Sequence, residues 1–260
     1  MGRDHRTATN ALAANAAYRL TPHFFEENSD GAEGVLLALA LAVEQRDDVT
    51  AGHCERLAIT SLALGMSMGL DQTSLVALYR GAFLHDIGKV GIPDSVLLKR
   101  GRLTSDEWIV MRGHTVSGAE ICSHLKSLGP VLPIIRHHHE RWDGTGYPDG
   151  LRGELIPLLA RVLQIADIFD ALTSYRCYKP AYSAKEAIRI IEDETARGWR
   201  DPQVVSLFLR IHHDLITRIV QYDRPNDYSL TALRQNLASL SPMMNEHTAL
   251  IARPVPVSAA

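Results

Sequence analysis

Residues 71–91 read DQTSLVALYRGAFLHDIGKVG, and two textures meet inside them. Up to Leu84 the apolar residues fall three and four apart, the spacing of a helix with one packed face. Asp71 stands where an N-cap belongs. From His85 the character changes to an imidazole and a carboxylate side by side, followed by Gly88 and Gly91. Glycines at that density end a helix. Adjacent side chains on a helix diverge by about 100°, so His85 and Asp86 can share one ion only where the helix stops. Taken alone, a His-Asp dipeptide is weak; most are surface or core residues with no special role.

Outward from this stretch the chain reads as helix after helix. Residues 33–46 and 53–68 repeat the three- and four-residue apolar spacing. The apolar run from Gly34 to Val43 reads as a buried helix, since a membrane span needs about 20 such residues. Thr104 and Glu107 form a Thr-x-x-Glu capping box, and Ser183 with Glu186 repeats the signal. The second of these helices should stop near Gly198. Asp201-Pro202 reads as N-cap plus first-turn proline of a helix running to about Gln221. Between them, residues 142–157 (WDGTGYPDGLRGELIP) hold too many glycines and prolines for a helix. They form a long ordered loop, with a short hairpin expected at Leu151–Ile156. Long loops inside compact domains tend to be functional. The expected division is a variable segment over 1–32, an all-α domain over 33–222 and a loosely ordered tail over 223–260.

Composition narrows the function. The 260 residues are 46% hydrophobic and 22% charged, which excludes bulk disorder and disulfide-dense mini-proteins. A formal net charge of -3 gives no global attraction for nucleic acid or an anionic membrane. An anionic substrate would therefore need local positive charge from metal ions and placed Lys and Arg. Cys54, Cys122 and Cys177 form no CxxC pair and read as reduced thiols of a cytoplasmic protein. Residues 1–20 carry charge and Asn among the alanines, a poor secretory signal.

Histidine is where the sequence departs from the ordinary. His137-His138-His139-Glu140 follows directly on the apolar Val131–Ile135, and three consecutive imidazoles have no packing rationale. Imidazole suits Zn, Fe, Mn or Ni, and neighbouring carboxylates favour harder ions. Asp167 and Asp170 lie in the otherwise apolar VLQIADIFDAL of 162–172. Buried carboxylates are costly unless paired or metal-bound, and a spacing of three puts both on roughly one face. Asp167, the more enclosed by apolar neighbours, is the better ligand; Asp170 would orient a neighbour. An internal ion pair is the competing reading. Together, His53, His85, Asp86 and Asp167 make one mixed N/O set, and His114, His138 and His139 an N-rich one. Asp86 has two oxygens with which to bridge them. A pair of metals about 3.5–4 Å apart is the arrangement used for in-line phosphoryl displacement.

The chain resembles the HD-GYP cyclic-dinucleotide phosphodiesterases over about residues 34–212. The matching motifs are TAGH at 50–53, HDIGKVGIPD at 85–94 and EWIVM at 107–111 followed by His114. HHE at 138–140, DGTGYP at 143–148, GLRGELIP at 150–157, ADIFDALTS at 166–174, RCYK at 176–179 and DP at 201–202 complete the series. The resemblance implies an HD-domain helical bundle with a long ordered GYP loop. It implies metal-dependent hydrolysis of cyclic di-GMP to linear pGpG at a two-metal site that activates water. The metal ligands would be His53, His85, Asp86, His114, His138, His139 and Asp167. Lys89 would act with Asp86 in catalysis and would also contact substrate. Arg176 and Lys179 would bind phosphate, which suits cations placed near Asp167. Gly146 and Tyr147 of the GYP loop would line the substrate pocket; Tyr147 reads equally as stacking on a guanine or as contacting a diguanylate cyclase domain. The cations implied are two divalent ions, iron or manganese first.

Two departures matter. Some members carry a glutamate four residues before the first histidine and hold a third metal; Val49 stands there and cannot ligate. A two-metal centre follows, which puts further cleavage to GMP in doubt. Arg100 replaces a usual proline at a surface turn. Rival readings are a non-catalytic cyclic-dinucleotide receptor or cyclase-interaction module, and a phosphodiesterase for mixed cyclic GMP-AMP. Oligomeric state, a homodimer included, is not legible.

Overall fold

The computed structural model describes residues 31–46, 52–174 and 181–221. Ten α-helices run through these residues, with no strand among them. They are α1 (Gly31–Arg46), α2 (His53–Ser67), α3 (Gln72–Leu84), α4 (Asp94–Leu97) and α5 (Ser105–Arg112). Then follow α6 (His114–Ser123), α7 (Leu132–His137), α8 (Leu158–Thr173), α9 (Ala184–Ala196) and α10 (Pro202–Gln221). Short 3-10 turns cover Ile87–Gly91, Lys126–Val131 and Gly153–Leu155. The fold is the all-α bundle expected, with Asp143–Pro157 threaded through it as an ordered loop.

The helix ends sit where the capping chemistry puts them. The Asp71 carboxylate accepts from the Ser74 amide at 2.8 Å and opens α3. Thr104 with Glu107, and Ser183 with Glu186, close full capping boxes on α5 and α9. The Asp201 carboxylate accepts from the Gln203 amide at 2.8 Å at the start of α10. Gly198, just past α9, takes the left-handed φ of 81° that favours glycine.

The antiparallel pair α2 and α3 forms the centre, with α8 and α10 laid on α2, and α7 and α6 beyond. Leu57, Leu64, Leu78, Leu84, Ile134, Leu163 and Phe208 are wholly inside. Truncating any of these leucines to alanine costs about 2–5 kcal/mol. α1 is less buried than its composition suggests. Leu37, Ala40, Leu41 and Val43 face the core, but Val35 is 66% exposed and Leu39 37%. The expected hairpin at Leu151–Ile156 is absent. The Gly153–Leu155 turn replaces it, because the Ile156 amide returns to the Gly153 carbonyl at 3.2 Å and no facing strand is offered.

None of the described helices is long and apolar enough to cross a membrane. The buried Cys54 and Cys122 are free thiols, and burial raises both well above the ordinary value, Cys122 to about 11. Arg176, Lys179, Val49, Cys177 and the segments 1–30 and 222–260 lie outside the described residues.

Candidate metal centre

Five helix segments deliver the predicted ligands to one place. His53 opens α2, where Gly52 turns the chain with φ 88° and the His53 amide donates to Glu44 Oε1 at 2.8 Å. His85 caps α3, and Asp86 follows at the break before the 3-10 turn. His114 opens α6, His138 and His139 follow the end of α7, and Asp167 lies within α8. Ligating atoms of His53, His85 and Asp167 lie within 4.8 Å of one another, as do those of Asp86, His114, His138 and His139. All seven predicted ligands therefore converge. The one shift is that Asp86 groups with the N-rich set rather than with His53.

Asp86 nevertheless reaches both ways. Its Oδ1 is 3.2 Å from His114 Nε2 and 3.8 Å from His138 Nε2. Its Oδ2 is 3.2 Å from His85 Nε2 and 2.7 Å from Lys89 Nζ. One carboxylate therefore touches both ligand groups, with Lys89 beside it.

Four of the five cage rings are oriented from behind. His85 Nδ1 donates to the Ala82 carbonyl at 3.1 Å, His114 Nδ1 to Met111 at 2.7 Å and His138 Nδ1 to Ile135 at 2.8 Å. A carbonyl oxygen only accepts, so Nδ1 carries a proton in each and Nε2 is the ring atom turned inward. His53 is held by Asp170, Nδ1 to Oδ2 at 2.7 Å. His137 points elsewhere, to Asp149 at 3.0 Å.

What these atoms face is each other. His85 Nε2, Asp86 Oδ1, His114 Nε2 and His138 Nε2 are all buried and without hydrogen-bond partners. Buried polar atoms are normally satisfied, and each orphan costs about 1–3 kcal/mol. Four converging lone-pair atoms fit one kind of occupant, a cation. The field agrees. Burial would push the Asp86 carboxyl up, but Lys89 and the surrounding imidazoles hold it well below the usual carboxylate range. Burial would likewise depress His85, yet Asp86, and behind it Asp167, lift it to about 9. His138 and His139 are pushed down, first by burial and then by neighbouring imidazoles. The carboxylates thus favour positive charge beside His85, while burial favours the neutral ring at His138 and His139.

The expected contrast between Asp167 and Asp170 is reversed in burial. The Asp170 side chain is 7% exposed and that of Asp167 19%. Asp170 tolerates enclosure because Arg56 of α2 binds it with two nitrogens and His53 with a third. Despite burial, these partners hold its carboxyl down at about 2. Asp167 lies 3.7 Å from His53 Nε2 and keeps more of its side chain exposed. Arg56 is a supporting residue that sequence reading missed; it is far from Asp170 in the chain, and only the fold joins them.

The GYP loop forms the neighbouring wall. Tyr147 stacks beside His139, with ring centroids 4.8 Å apart and planes 30° apart. Gly146 is required by the fold itself. A Cβ there would stand 2.2 Å from the Arg141 amide nitrogen, so the close approach is to the protein's own backbone. Gly88 is equally constrained, 1.9 Å from the His114 carbonyl oxygen by the same construction, which seats the Asp86 turn directly on α6. The fully buried Glu140 ties the loop, accepting from the Asp149 amide at 2.7 Å and the Leu151 amide at 3.1 Å. Gln164 of α8 donates to the His138 carbonyl at 2.9 Å and to that of Glu140.

A family model described as the HD domain matches residues 38–204. A cyclic di-GMP phosphodiesterase of Thermotoga maritima is 38% identical over 220 residues, covering 83% of this chain and 59% of its own. The cyclic di-GMP phosphodiesterase response regulator RpfG of Xanthomonas campestris is 42% identical over 179 residues, 67% of this chain and 47% of its own. The chain thus spans about half the length of these curated relatives. Among solved structures, a cyclic GMP-AMP specific phosphodiesterase of Vibrio cholerae superposes with a TM-score of 0.59 at 19% identity, covering 87% of this chain and 61% of its own. The shared helical bundle, the His/Asp cluster at its centre and the match over most of the described residues lead to one conclusion: the chain belongs to the HD domain family.

Proposed function

We propose that this chain is a metal-dependent phosphodiesterase that opens one phosphodiester bond of cyclic di-GMP to give linear pGpG. The observation that carries the reading is the Asp86 carboxylate, with one oxygen toward His114 and His138 and the other toward His85 and Lys89. His53, His85, Asp86 and Asp167 would hold one divalent ion, and Asp86, His114, His138 and His139 the other. A mixed imidazole and carboxylate set suits iron or manganese. When bound, such a pair supplies Lewis acidity toward phosphate oxygens and a lowered pKa for the attacking water.

The chain's own residues do the rest. The Nδ1 contacts of His53, His85, His114 and His138 fix those rings before substrate arrives, so they need no reorientation in the transition state. Lys89 Nζ, 2.7 Å from Asp86 Oδ2, is placed to donate to a non-bridging phosphate oxygen as charge builds there. Water oxygen bonds to phosphorus, the bond from phosphorus to the ribose 3′ oxygen breaks, and that oxygen leaves with a proton. Tyr147, raised above its ordinary pKa by burial and then by the Asp86 charge, stays a neutral phenol beside His139.

The test is chromatography of products from cyclic di-GMP and mixed cyclic GMP-AMP incubated with manganese- or iron-loaded protein. Linear pGpG is the expected product. Metal-loaded protein that binds cyclic di-GMP without cutting it would overturn the reading in favour of a receptor. Turnover confined to cyclic GMP-AMP would move the substrate assignment.

A further inference from the structure

Arg112 closes α5, and Trp108 stands one helical turn before it on the same face. The Arg112 guanidinium carbon lies 5.6 Å from the centroid of the Trp108 ring and 5.2 Å from that of Tyr147. Tyr147 leads on to His139 at 4.8 Å. A continuous path of ring and cation contacts thus runs from the exposed Trp108 to the metal centre, with Arg112 at its outer third.

Aromatic contacts hold a guanidinium by its faces and leave its in-plane N–H donors free. Among the described residues no carboxylate or carbonyl takes those donors. Glu107 of the same helix is spent: both its oxygens accept from Lys99, at 2.8 and 2.6 Å, and one also caps the helix at the Thr104 amide. Arg112 is therefore a pre-positioned, exposed cation joined to the cage through Tyr147 and His139.

A cyclic dinucleotide carries two phosphodiesters. The cage and Lys89 address the one that is cut. We infer that Arg112 is a substrate-binding residue that grips the uncut phosphodiester of the cyclic dinucleotide with its free fork of donors. This inference rests on the function proposed above and adds a residue to it. The sequence held a faint signal, an aromatic and an arginine at i and i+4 just before a predicted ligand.

The test compares native protein with Arg112→Gln, which removes the charge from an exposed position, and with Arg112→Lys. Two substrates are used: cyclic di-GMP and bis(4-nitrophenyl) phosphate, which has a single phosphodiester and nothing for Arg112 to hold. Cyclic di-GMP is also titrated as a competitive inhibitor of the chromogenic reaction, which measures its binding whether or not it is cut. In Arg112→Gln, KM and Ki for cyclic di-GMP should rise about tenfold or more, with kcat and the chromogenic reaction unchanged. Arg112→Lys should recover part of the loss. Unchanged KM and Ki would overturn the inference, as would an equal loss on both substrates, which would mean that Arg112 acts on the cage through Tyr147. Native protein that hydrolyses the chromogenic ester but not cyclic di-GMP would sink the proposed substrate while the Ki comparison still judges Arg112. Hydrolysis of neither would sink both.

Discussion

At His138 the inward ring nitrogen has no hydrogen-bond partner; two residues later both oxygens of Glu140 accept backbone N–H groups. The two side chains are similarly buried, at 1% and 0% exposure, and share a partner in Gln164, yet they follow opposite rules. Around Glu140 every polar demand is met within the chain, and the result is a loop pinned to α7 and α8. Around His138, demands are oriented, desolvated and then left unmet. The first arrangement is a scaffold complete in itself. The second is complete only with something added, and it is the scaffold that holds it open.

The sharpest way to break the contrast is Asp86→Ala. Hydrolysis should fall by about a thousandfold or more, and the melting temperature of the metal-free protein should fall modestly, because Lys89 loses its partner at 2.7 Å. Product chromatography and a thermal melt read the two effects separately. Gly88→Ala should harm both regions at once. Its Cβ would meet the His114 carbonyl oxygen at 1.9 Å, so the Asp86 turn must lift from α6. A loss of about 4 kcal/mol in urea unfolding is expected.

Glu140→Ala tests the opposite side. It strands the amides of Asp149 and Leu151 and should cost about 3 kcal/mol, with metal retained when the protein is folded. A variant that keeps its stability but loses its metal would erase the distinction between the regions. Removing metal from native protein with a chelator should lower its stability by about 2.7 kcal/mol where free metal had stood at a hundred times its Kd. Metal loss should not destabilise Asp86→Ala in the same way. Smallest of all, Arg136→Ala removes an ion pair to Asp149 at 2.8 Å whose side chains are 36% and 34% exposed. Solvent screening limits it to about 0.5–1 kcal/mol.

Much of this was legible before any coordinates. Helix limits followed from local chemistry, because Asp71, Thr104, Ser183 and Asp201 cap the helices that begin beside them. The ligands were legible as residue types out of place: consecutive imidazoles after an apolar run, and carboxylates inside one. What stayed hidden was joined only through space. Arg56 reaches Asp170 across the core, which makes Asp170 the more buried carboxylate rather than Asp167. The demand for glycine at 88 and 146 comes from backbone distant in one case and folded back in the other, so neither approach appears in a linear reading. The hairpin failed for a related reason. Glycine and proline mark where a chain turns, but a strand needs a facing partner, and residues 151–156 find none.

The central claim is that Asp86 joins two cation positions into one centre. Elemental analysis of anaerobically purified native protein beside Asp86→Ala, both confirmed folded, tests it most directly. About two equivalents of divalent metal per native chain, with both positions depleted in the variant, is the predicted result. A variant that keeps the native metal content, or a folded native chain that takes up no metal when it is supplied, would contradict it.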